Sequence, residues 1–436
     1  MSTASTQRRI THLATLTAVH RAFHWLHLHQ PQLRQWQLEI VRIPAPPFGE
    51  STRAAWFLDR FQQLGLTNVH QDEVGNILAE LTPESTENST EGPLLPTPYP
   101  LLPVVLLSAH LDTVFPAGTP LEPTETKDSP RIHAPGICDN AAGLTGLLAI
   151  AAALRHANIT PPIPILFAAN VGEEGEGDLR GMRHLFECSP YRNRIAAAIA
   201  LEGSGNSAVV TRALGSLRYR VTITGPGGHS WTDAGTHNPI HLLSQAITRI
   251  AAIELPTDPP TTINVGHISG GTSINSIPES ATALLDIRST DPTQLTATAA
   301  TVHQIFEEII GPNAARKPTT PLKLQIDTIG NRPAAALPED SLLLQTLRAV
   351  DRHLTLRTEL RLGSTDANIP LSRGIPAIAI GAGGAGGGIH TLQEWYDPTN
   401  RETALRRILL TLLDTLQRPQ NKRNPLDGTL EFENNK

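Results

Sequence analysis

The chain has 436 residues, of which 39% are hydrophobic, and a formal net charge of −6. These values describe an ordinary soluble protein with room for two or three domains, and they exclude a disordered chain. No basic patch points to a nucleic-acid partner, and no apolar run approaches the roughly 18 residues of a membrane span.

The cysteines and the N-terminus both bear on where the protein works. Cys138 and Cys188 are the only cysteines, too few for a disulfide framework, and they indicate a reducing compartment. The first residues lack the apolar core and small-residue cleavage site of a signal peptide. We therefore expect a cytoplasmic protein with no membrane partner.

The N-terminal part predicts two helices and a strand. Apolar residues recur at helical spacing over 7–42, and the prolines of 44–47 then break the chain. A second helix is predicted over 51–64, followed by a strand around 76–79. His20 and His24 are four residues apart in the first helix, but the glutamate of a helical zinc motif is missing between them. We expect these histidines to be exposed helix residues.

A buried strand over 104–109 is the strongest single element. Residues 83–103 before it are rich in Pro, Ser, Thr and Glu without periodicity, which predicts an exposed insertion. The strand itself is almost entirely apolar. It delivers His110 and Asp112, two residues apart, to the same side of the chain. An imidazole whose ring is held by a carboxylate is a typical metal ligand.

Helices and strands then alternate. After a predicted loop over 118–135, Asp139 lies in the N-cap region of a helix over 141–156. Apolar strands are predicted over 163–169 and 196–201. The alternation predicts an α/β fold, a mixed sheet with helices on both faces.

The pattern changes near Leu217. Strands are predicted over 218–224, 262–265 and 283–288, and helices over 240–253 and 295–310. This β-α-β-β-α-β run predicts a ferredoxin-like α+β insert. Helix–strand alternation resumes near Asn331 and ends in a helix over 404–416. The predicted domains are therefore 1–215 and 331–436, which form one α/β domain, and the insert 216–330.

Five acidic or imidazole side chains join His110 at strand ends or adjoining loops. They are Asp139, Glu173, Glu174, Glu202 and His390. Ligands of open α/β sheets bind beyond the carboxyl ends of the strands, which predicts that these side chains meet there.

Eight short stretches, in this order and spacing, carry a family resemblance. They are Glu39-x-x-x-Ile43-Pro44, Asp72-x-x-Gly75-Asn76, Ser108 to Val114, Gly136 to Gly143, Gly172 to Gly175, Gly227 to Ser230, Gly271 to Pro278 and Asp286 to Arg288. Through them the sequence resembles the M20 family of dinuclear zinc peptidases and deacylases over nearly its whole length. The resemblance implies a zinc-peptidase-like mixed sheet with an inserted dimerisation or lid domain.

The resemblance also implies a metal centre. Asp139 would bridge two zinc ions, with His110 and Glu202 on one and Glu174 and His390 on the other. Oxygen and imidazole ligands without thiolates suit zinc, and Co²⁺ or Mn²⁺ would also fit.

Two further residues gain catalytic roles from the resemblance. Asp112 would orient the His110 ring. Glu173 would act as general base, taking a proton from a metal-bridged water and passing it to the leaving nitrogen.

The insert would supply the substrate contacts. By the resemblance, His229 reaches the active site of a partner subunit and stabilises the oxyanion, so a homodimer through 216–330 is expected. Asn275 and Arg288 would hold the polar end of the substrate, because an arginine offers a bidentate fork for a carboxylate.

The implied activity is hydrolysis of an amide bond in small peptides or N-acyl amino acids. In the family, a glutamate at the position of Glu202 goes with carboxypeptidases and deacylases, and Arg288 and Asn275 fit a free substrate carboxylate. The alternative is a di- or tripeptide aminopeptidase of the peptidase T type, in which Asp366 could hold a substrate ammonium.

Two other classes of function remain to be weighed. The segment Gly381–Gly386 satisfies G-x-G-x-x-G, which is a dinucleotide-binding pattern only where a helix opens on the glycines. More glycine, His390 and Pro398 follow instead. A non-catalytic binding protein of the same fold is disfavoured because Glu173 and all the implied ligands are present.

Overall fold

A computed structural model describes residues 3–83, 102–125, 129–310 and 322–417. The insertion predicted at 83–103 falls almost wholly outside the described residues. The chain forms two compact units. The first unit comprises Met1–Thr211, Leu337–Arg361 and Thr365–Lys436, and the second comprises Arg212–Ala336 and Leu362–Ser364. These limits differ by a few residues from the predicted boundaries at 215 and 330.

The elements follow one another along the chain within the described ranges. The α-helices are α1 (Thr3–Thr15), α2 (Thr17–Leu28), α3 (Gln30–Val41), α4 (Ser51–Gln63), α5 (Ala141–His156), α6 (Arg180–Glu187), α7 (Pro239–Ala251), α8 (Pro292–Ile310), α9 (Leu342–His353), α10 (Asn368–Ser372) and α11 (Arg401–Leu416). The strands are β1 (Thr67–Gln71), β2 (Ile77–Leu81), β3 (Val104–His110), β4 (Thr124–Glu125), β5 (Ile132–His133), β6 (Ile165–Asn170), β7 (Ile195–Leu201), β8 (Ala208–Ala213), β9 (Gly215–Thr224), β10 (Gly228–His229), β11 (Thr261–Gly270), β12 (Ser276–Ile277), β13 (Ser280–Ser289), β14 (Lys323–Arg332), β15 (Ala335–Ala336), β16 (Glu359–Gly363), β17 (Ala377–Ile380), β18 (Ala385–Gly387) and β19 (Trp395–Asp397).

A mixed sheet forms the centre of the first unit, as predicted. Its neighbouring strands follow the order β1-β2-β6-β3-β7-β17-β8. The four strands β6, β3, β7 and β17 are parallel, and the outer pairings are antiparallel. Every residue of β3, β6 and β17 is buried, and these strands are apolar apart from Ser108, His110 and Asn170. Their parallel course brings their carboxyl ends to one edge of the sheet.

Helix α5 packs against β3, β6 and β7 and is buried from Ala141 to Leu154. Its glycines permit close packing, since a Cβ on Gly143 would lie 2.5 Å from the carbonyl oxygen of Leu201. The N-cap is Asn140, whose side-chain oxygen accepts the N–H of Gly143 at 3.1 Å. The Asp139 side chain, which the sequence placed in the cap region, therefore does not make the cap.

The second unit contains a four-stranded antiparallel sheet in the order β11-β13-β9-β14. In the chain these elements alternate with helices as β9-α7-β11-β13-α8-β14, which is a ferredoxin-like succession. Helices α7 and α8 contribute apolar side chains to one buried core with the sheet. A role of this unit as a lid or dimerisation domain stays a prediction.

Two sequence-based expectations differ from the structure. The single helix expected over 7–42 is three helices, because the chain is extended at Leu16 and turns again at His29. The loop expected over 118–135 contains β4 and β5, which join β18 and β19 in a small sheet. Strands of two or three residues are too short to produce a readable hydrophobic period. Among the described helices, none has the length and hydropathy to cross a membrane.

Candidate metal centre

His110, the last residue of β3, and Asp112 are both fully buried. The ring Nδ1 of His110 lies 3.0 Å from the carbonyl oxygen of Asp112 and 3.5 Å from its Oδ1. The Asp112 carboxylate also accepts the backbone N–H groups of Glu173 at 3.0 Å and Glu174 at 2.7 Å. Asp112 therefore holds the Nδ1 side of the imidazole chiefly through its backbone carbonyl oxygen, and its carboxylate holds the loop that follows β6.

Asp139 lies between two imidazoles. Its Oδ1 is 3.1 Å from Nε2 of His110, and its Oδ2 is 3.1 Å from Nε2 of His390. The two histidines are thus on opposite oxygens of one carboxylate, although 280 residues separate them in the chain. The bridging role of Asp139 that the family resemblance implies would require such an arrangement, and it stays a prediction.

Each imidazole also faces a second carboxylate. Oε1 of Glu202, directly after β7, is 3.2 Å from Nε2 of His110. Oε1 of Glu174 is 3.1 Å from Nε2 of His390. The structure therefore brings all five predicted ligands together as two groups that share Asp139.

Asn140 fixes Asp139 against the end of β7. Its side-chain N–H₂ donates to the carbonyl oxygen of Leu201 at 2.9 Å, and its Oδ1 accepts the N–H of Gly203 at 3.0 Å. Leu201 and Gly203 flank Glu202 in the chain. The same side chain caps α5, so Asn140 anchors the start of the helix, the neighbouring Asp139 and the backbone around Glu202 together.

The stretch Asp72–Asn76 braces the loop that carries the two glutamates. Oδ1 of Asp72 accepts the N–H groups of Val74, Gly75 and Asn76. The buried Asn76 accepts the N–H of Val171 at 2.9 Å. The family-like motif in this stretch thus has a structural role near the site.

Glu394 is a residue that the sequence did not single out. It is fully buried and accepts backbone N–H groups of Gly136, Cys138 and Asp139. Burial raises the pKa of Glu394 to about 7, against the opposing effect of these N–H groups. The only sequence signal was a glutamate four residues after His390.

The imidazoles lie in a strongly anionic environment. The pKa of His390 is raised to about 10, first by the hydrogen bond to Asp139 and then by Glu174. Burial opposes protonation of His110, but Glu202, Asp112 and Asp139 outweigh it and raise its pKa. Burial would raise the pKa of Asp139, and the two histidines lower it instead. The cluster therefore attracts positive charge.

Glu202 and Asp112 respond differently to their burial. Desolvation raises the pKa of Glu202 to about 7, and the charges of Asp139 and Asp366 add to the rise. Burial acts in the same direction on Asp112, but hydrogen bonding to His110 and to the N–H groups outweighs it and lowers its pKa. Oε2 of Glu202 is buried and has no hydrogen-bond partner among the described residues.

These observations fit a metal site. Two ligand atoms bound to one ion at about 2.0–2.2 Å cannot be more than about 4.4 Å apart, and the nitrogen–oxygen pairs around His110 and His390, at 3.1–3.2 Å, meet that limit. His110, Asp139 and Glu174 offer ligand atoms that all lie within 4.8 Å of one another. The unpartnered oxygen of Glu202 and the excess of carboxylates are features that a bound cation would satisfy.

His229 and Asn275 lie side by side in the second unit. His229 pairs with Ser276 between β10 and β12, and the N–H of Ser230 donates to the carbonyl oxygen of Asn275 at 3.0 Å. The His229 side chain is exposed, and its Nδ1 accepts the N–H of Trp231 at 3.2 Å.

Arg288 lies elsewhere in the same unit. It is near the end of β13, about 26 Å along the strand from Ser280, where β13 begins beside β12. Its Nε donates to Asp286 at 2.6 Å. The second unit therefore does not bring Arg288 to Asn275 within one chain.

The glycine-rich segment after β17 leads into β18, which pairs with β19, and no helix opens on it before Arg401. A Cβ on Gly381 would lie 2.1 Å from the carbonyl oxygen of Ser204, and one on Gly386 would lie 2.4 Å from Sγ of Cys138. The glycines let this backbone approach the loops that carry Glu202 and Asp139. The helix that a dinucleotide-binding motif requires directly after its glycines is therefore missing from the described residues of this segment.

Two further predicted features can be placed. His20 and His24 are exposed on α2, as expected. Asp366 is buried and accepts the side-chain N–H₂ of Asn170 at 2.8 Å. Its charge acts on the nearby Glu202.

Comparison with known proteins identifies related sequences. The family described as Peptidase family M20/M25/M40 matches residues 106–417. A probable carboxypeptidase of Aspergillus oryzae is 25% identical over 57% of this chain and 60% of its own length. A succinyl-diaminopimelate desuccinylase of Nitrosospira multiformis is 27% identical over 62% of this chain and 71% of its own length. The chain thus spans about three fifths of the fungal relative.

Solved structures share the fold. A tripeptidase from Staphylococcus aureus superimposes with a TM-score of 0.69 at 22% identity, over 88% of this chain and 98% of its own. A dinuclear metal-binding peptidase of the M20 family from Bacillus subtilis has a TM-score of 0.61 at 14% identity, over 89% and 98% of the two chains.

Proposed function

The chain belongs to peptidase family M20/M25/M40, and on that premise we propose that it is a metal-dependent hydrolase of amide bonds in small peptides or N-acyl amino acids. The observation that carries the proposal is the Asp139 carboxylate, which places one oxygen 3.1 Å from His110 and the other 3.1 Å from His390. A shared carboxylate between two imidazole–carboxylate pairs supports a two-metal site.

The ligands divide into two groups around that carboxylate. His110 and Glu202 would hold one ion, His390 and Glu174 the other, and Asp139 both. We propose zinc, because nitrogen and oxygen donors without thiolates suit it, with Co²⁺ and Mn²⁺ as alternatives. When bound, two such metal ions polarise the substrate carbonyl and lower the pKa of the attacking water.

The protein's own side chains would move the proton. Glu173 is buried beside Glu174, with its backbone held by Asp112. In our proposal Glu173 accepts the proton of the attacking water and returns it to the leaving nitrogen. Asp112 orients His110 and the Glu173 loop but does not itself react.

The second unit would complete the site in a homodimer. We propose that His229 acts on the partner subunit, where its exposed imidazole would stabilise the developing oxyanion. Asn275 and Arg288 would contact the substrate. The separation of Arg288 from Asn275 along β13 agrees with contributions from two different subunits. A cytoplasmic location is proposed from the free cysteines Cys138 and Cys188.

Substrates with a free carboxylate are our preferred class, because Arg288 and Asn275 suit that group. The competing assignment is a di- or tripeptide aminopeptidase. It is favoured by the buried carboxylate of Asp366 near Glu202, which could receive a substrate ammonium. Both classes use the same metal chemistry and differ in the end of the substrate that is bound.

A substrate panel separates the two assignments. The purified enzyme, supplied with Zn²⁺, would be assayed on N-acyl amino acids, free di- and tripeptides, and C-terminally amidated tripeptides. We expect N-acyl amino acids and free peptides to be cleaved and amidated peptides to be resistant. Cleavage of amidated tripeptides from the amino end, with no action on N-acyl substrates, would assign the aminopeptidase instead.

A further inference from the structure

Two chain segments that are far apart in sequence meet at the proposed centre. One is the loop Ala134–Asp139, which ends in the bridging carboxylate. The other is the turn Gly388–Glu394, which carries His390. Within this turn the N–H of Thr391 donates to Gly388 and that of Glu394 donates to Thr391. The separation of Asp139 and His390 depends on how these two segments are joined.

The Glu394 carboxylate makes that joint. Its Oε2 accepts the N–H of Gly136 at 2.7 Å, and its Oε1 accepts those of Cys138 and Asp139, both at 2.8 Å. Its own carbonyl oxygen accepts the N–H of Ala134 at 3.1 Å. Hydrogen bonds to a buried carboxylate are short and strong, and the side chain has no exposed surface through which water could replace them.

His390 has little else to hold it. Its imidazole is half exposed, and its Nε2 lies 3.1 Å from both Asp139 and Glu174, which are themselves proposed ligands. Its backbone is in the left-handed region, with φ 65°. Before a cation arrives, the position of the ring therefore depends on these two carboxylates and on the backbone of its turn.

Asp139 is held independently on its other side. Asn140 binds the backbone at Leu201 and Gly203, around Glu202. Loss of the Glu394 carboxylate would leave this anchor in place. The distances from His110 and Glu202 to Asp139 would then be kept, whereas the distances from His390 and Glu174 to Asp139 would no longer be fixed.

We propose that Glu394 is a positioning residue that presets the spacing of Asp139 and His390 for the second metal ion. The inference rests on the proposed function, since it assumes that both residues are ligands. Glu394 is not one of the proposed ligands. It would be a buried carboxylate that binds no ion itself but sets the affinity of one of the two metal sites.

The test is a Co²⁺ titration of the metal-free protein, followed by the visible d–d absorption and by competition with a chelator. Wild type should bind two equivalents. Glu394→Gln keeps the side-chain size but replaces one acceptor oxygen by an N–H₂ group, which cannot accept these N–H donors. We expect the first equivalent to be retained and the second to be weakened by about 10- to 100-fold.

Glu80→Gln is the matched control. Glu80 is also a buried carboxylate of the first unit, with hydrogen bonds from Asn68 and Tyr191, but it pairs with Leu166 near the start of β6. That strand end is remote from the site edge. Its variant should bind both equivalents with wild-type affinity, even if it melts at a lower temperature.

Glu394→Asp covers the case in which Glu394→Gln does not fold. It retains a charged acceptor on a side chain one methylene shorter, and we expect a smaller loss at the second equivalent alone. Unchanged affinity of both equivalents in the folded variants, or equal weakening of both, would overturn the positioning role. Wild type that fails to bind two equivalents would instead refute the proposed function.

Discussion

In our proposal Asp139 binds the metal ions and Glu173 moves the proton. Asp139 contacts both imidazoles with its two oxygens, whereas Glu173 has no ligand role in the geometry we assign. Glu173 and Glu174 are neighbours in one loop, and Glu174 has an oxygen 3.1 Å from Nε2 of His390. The proposal assigns coordination to Glu174 and proton transfer to Glu173. It leads to opposite expectations for their variants.

Glu173→Ala should retain its metals and lose at least about a hundredfold in kcat, because general acid–base catalysis contributes about that much. Metal content by mass spectrometry and steady-state kinetics would check it. Glu176→Ala, an exposed position in the same turn, is the control and should stay fully active. Wild-type kcat in Glu173→Ala would remove the residue from the mechanism.

Metal affinity should increase with pH. The pKa of His390 is raised to about 10, so its imidazole carries a proton at neutral pH in the metal-free protein, and the pKa of His110 is raised in the same direction. Ion binding must displace any proton on the coordinating ring nitrogens. Chelator competition at several pH values from about 6.5 to 10 should show steadily tighter binding, with proton release seen in buffer-dependent heats. Affinity that does not vary with pH would contradict this.

The metal-free protein should show the reverse trend in stability. A histidine whose pKa is raised on folding stabilises the fold fully below its unfolded value, about 6.5, and this contribution is lost as pH rises through the folded value. For His390 this loss takes place over the pH range from about 6.5 to about 10. The melting temperature of the metal-free protein should therefore fall across this window, and His390→Gln should reduce the fall.

At the scale of elements, the site depends on the junction of α5 with β7. Asn140 joins them through the cap at Gly143 and through Leu201 and Gly203. Asn140→Ala removes the cap and leaves two buried backbone groups unpaired, so we expect a loss of about 2–4 kcal/mol in the free energy of unfolding. Urea unfolding of the metal-free protein measures it. Gln62→Ala, exposed on α4, should change stability by less than about 0.5 kcal/mol.

The elements that sequence reasoning recovered are those with a long and uniform signal. The apolar run of β3 and the Ala/Leu/Gly run of α5 are readable from composition alone, and α5 spans the predicted residues. The breaks at Leu16 and His29 were missed because apolar spacing continues across them. The small strands β4, β5, β18 and β19 pair over long separations and have no period of their own.

The sequence predicted the proposed metal ligands but not the residues that hold them in place. The proposed ligands were selected because strand ends and family-like motifs mark their positions. The proposed role of Glu394 could not be predicted, because its partners Gly136 and Cys138 lie 258 and 256 residues away and no local sequence pattern indicates the contact. The separation of Arg288 from Asn275 likewise emerges only from the register of β13.

At the scale of the whole molecule, the exposed imidazole of His229 leads to a test of the proposed homodimer. His229→Ala and Glu173→Ala should each be inactive. If His229 acts on the partner subunit, mixed and re-equilibrated dimers should recover activity, because one of their two sites has both residues intact. A monomeric enzyme with full activity in sedimentation and kinetic experiments would defeat the proposal.

The most direct test of the central claim is the metal content of the purified protein beside that of Asp139→Ala. We predict two zinc-like divalent ions per wild-type subunit, because five side chains form two groups that share one carboxylate. The variant should lose at least one ion and its activity, since Asp139 contacts both histidines. A wild-type protein without metal, or a variant with unchanged metal content and activity, would contradict the account.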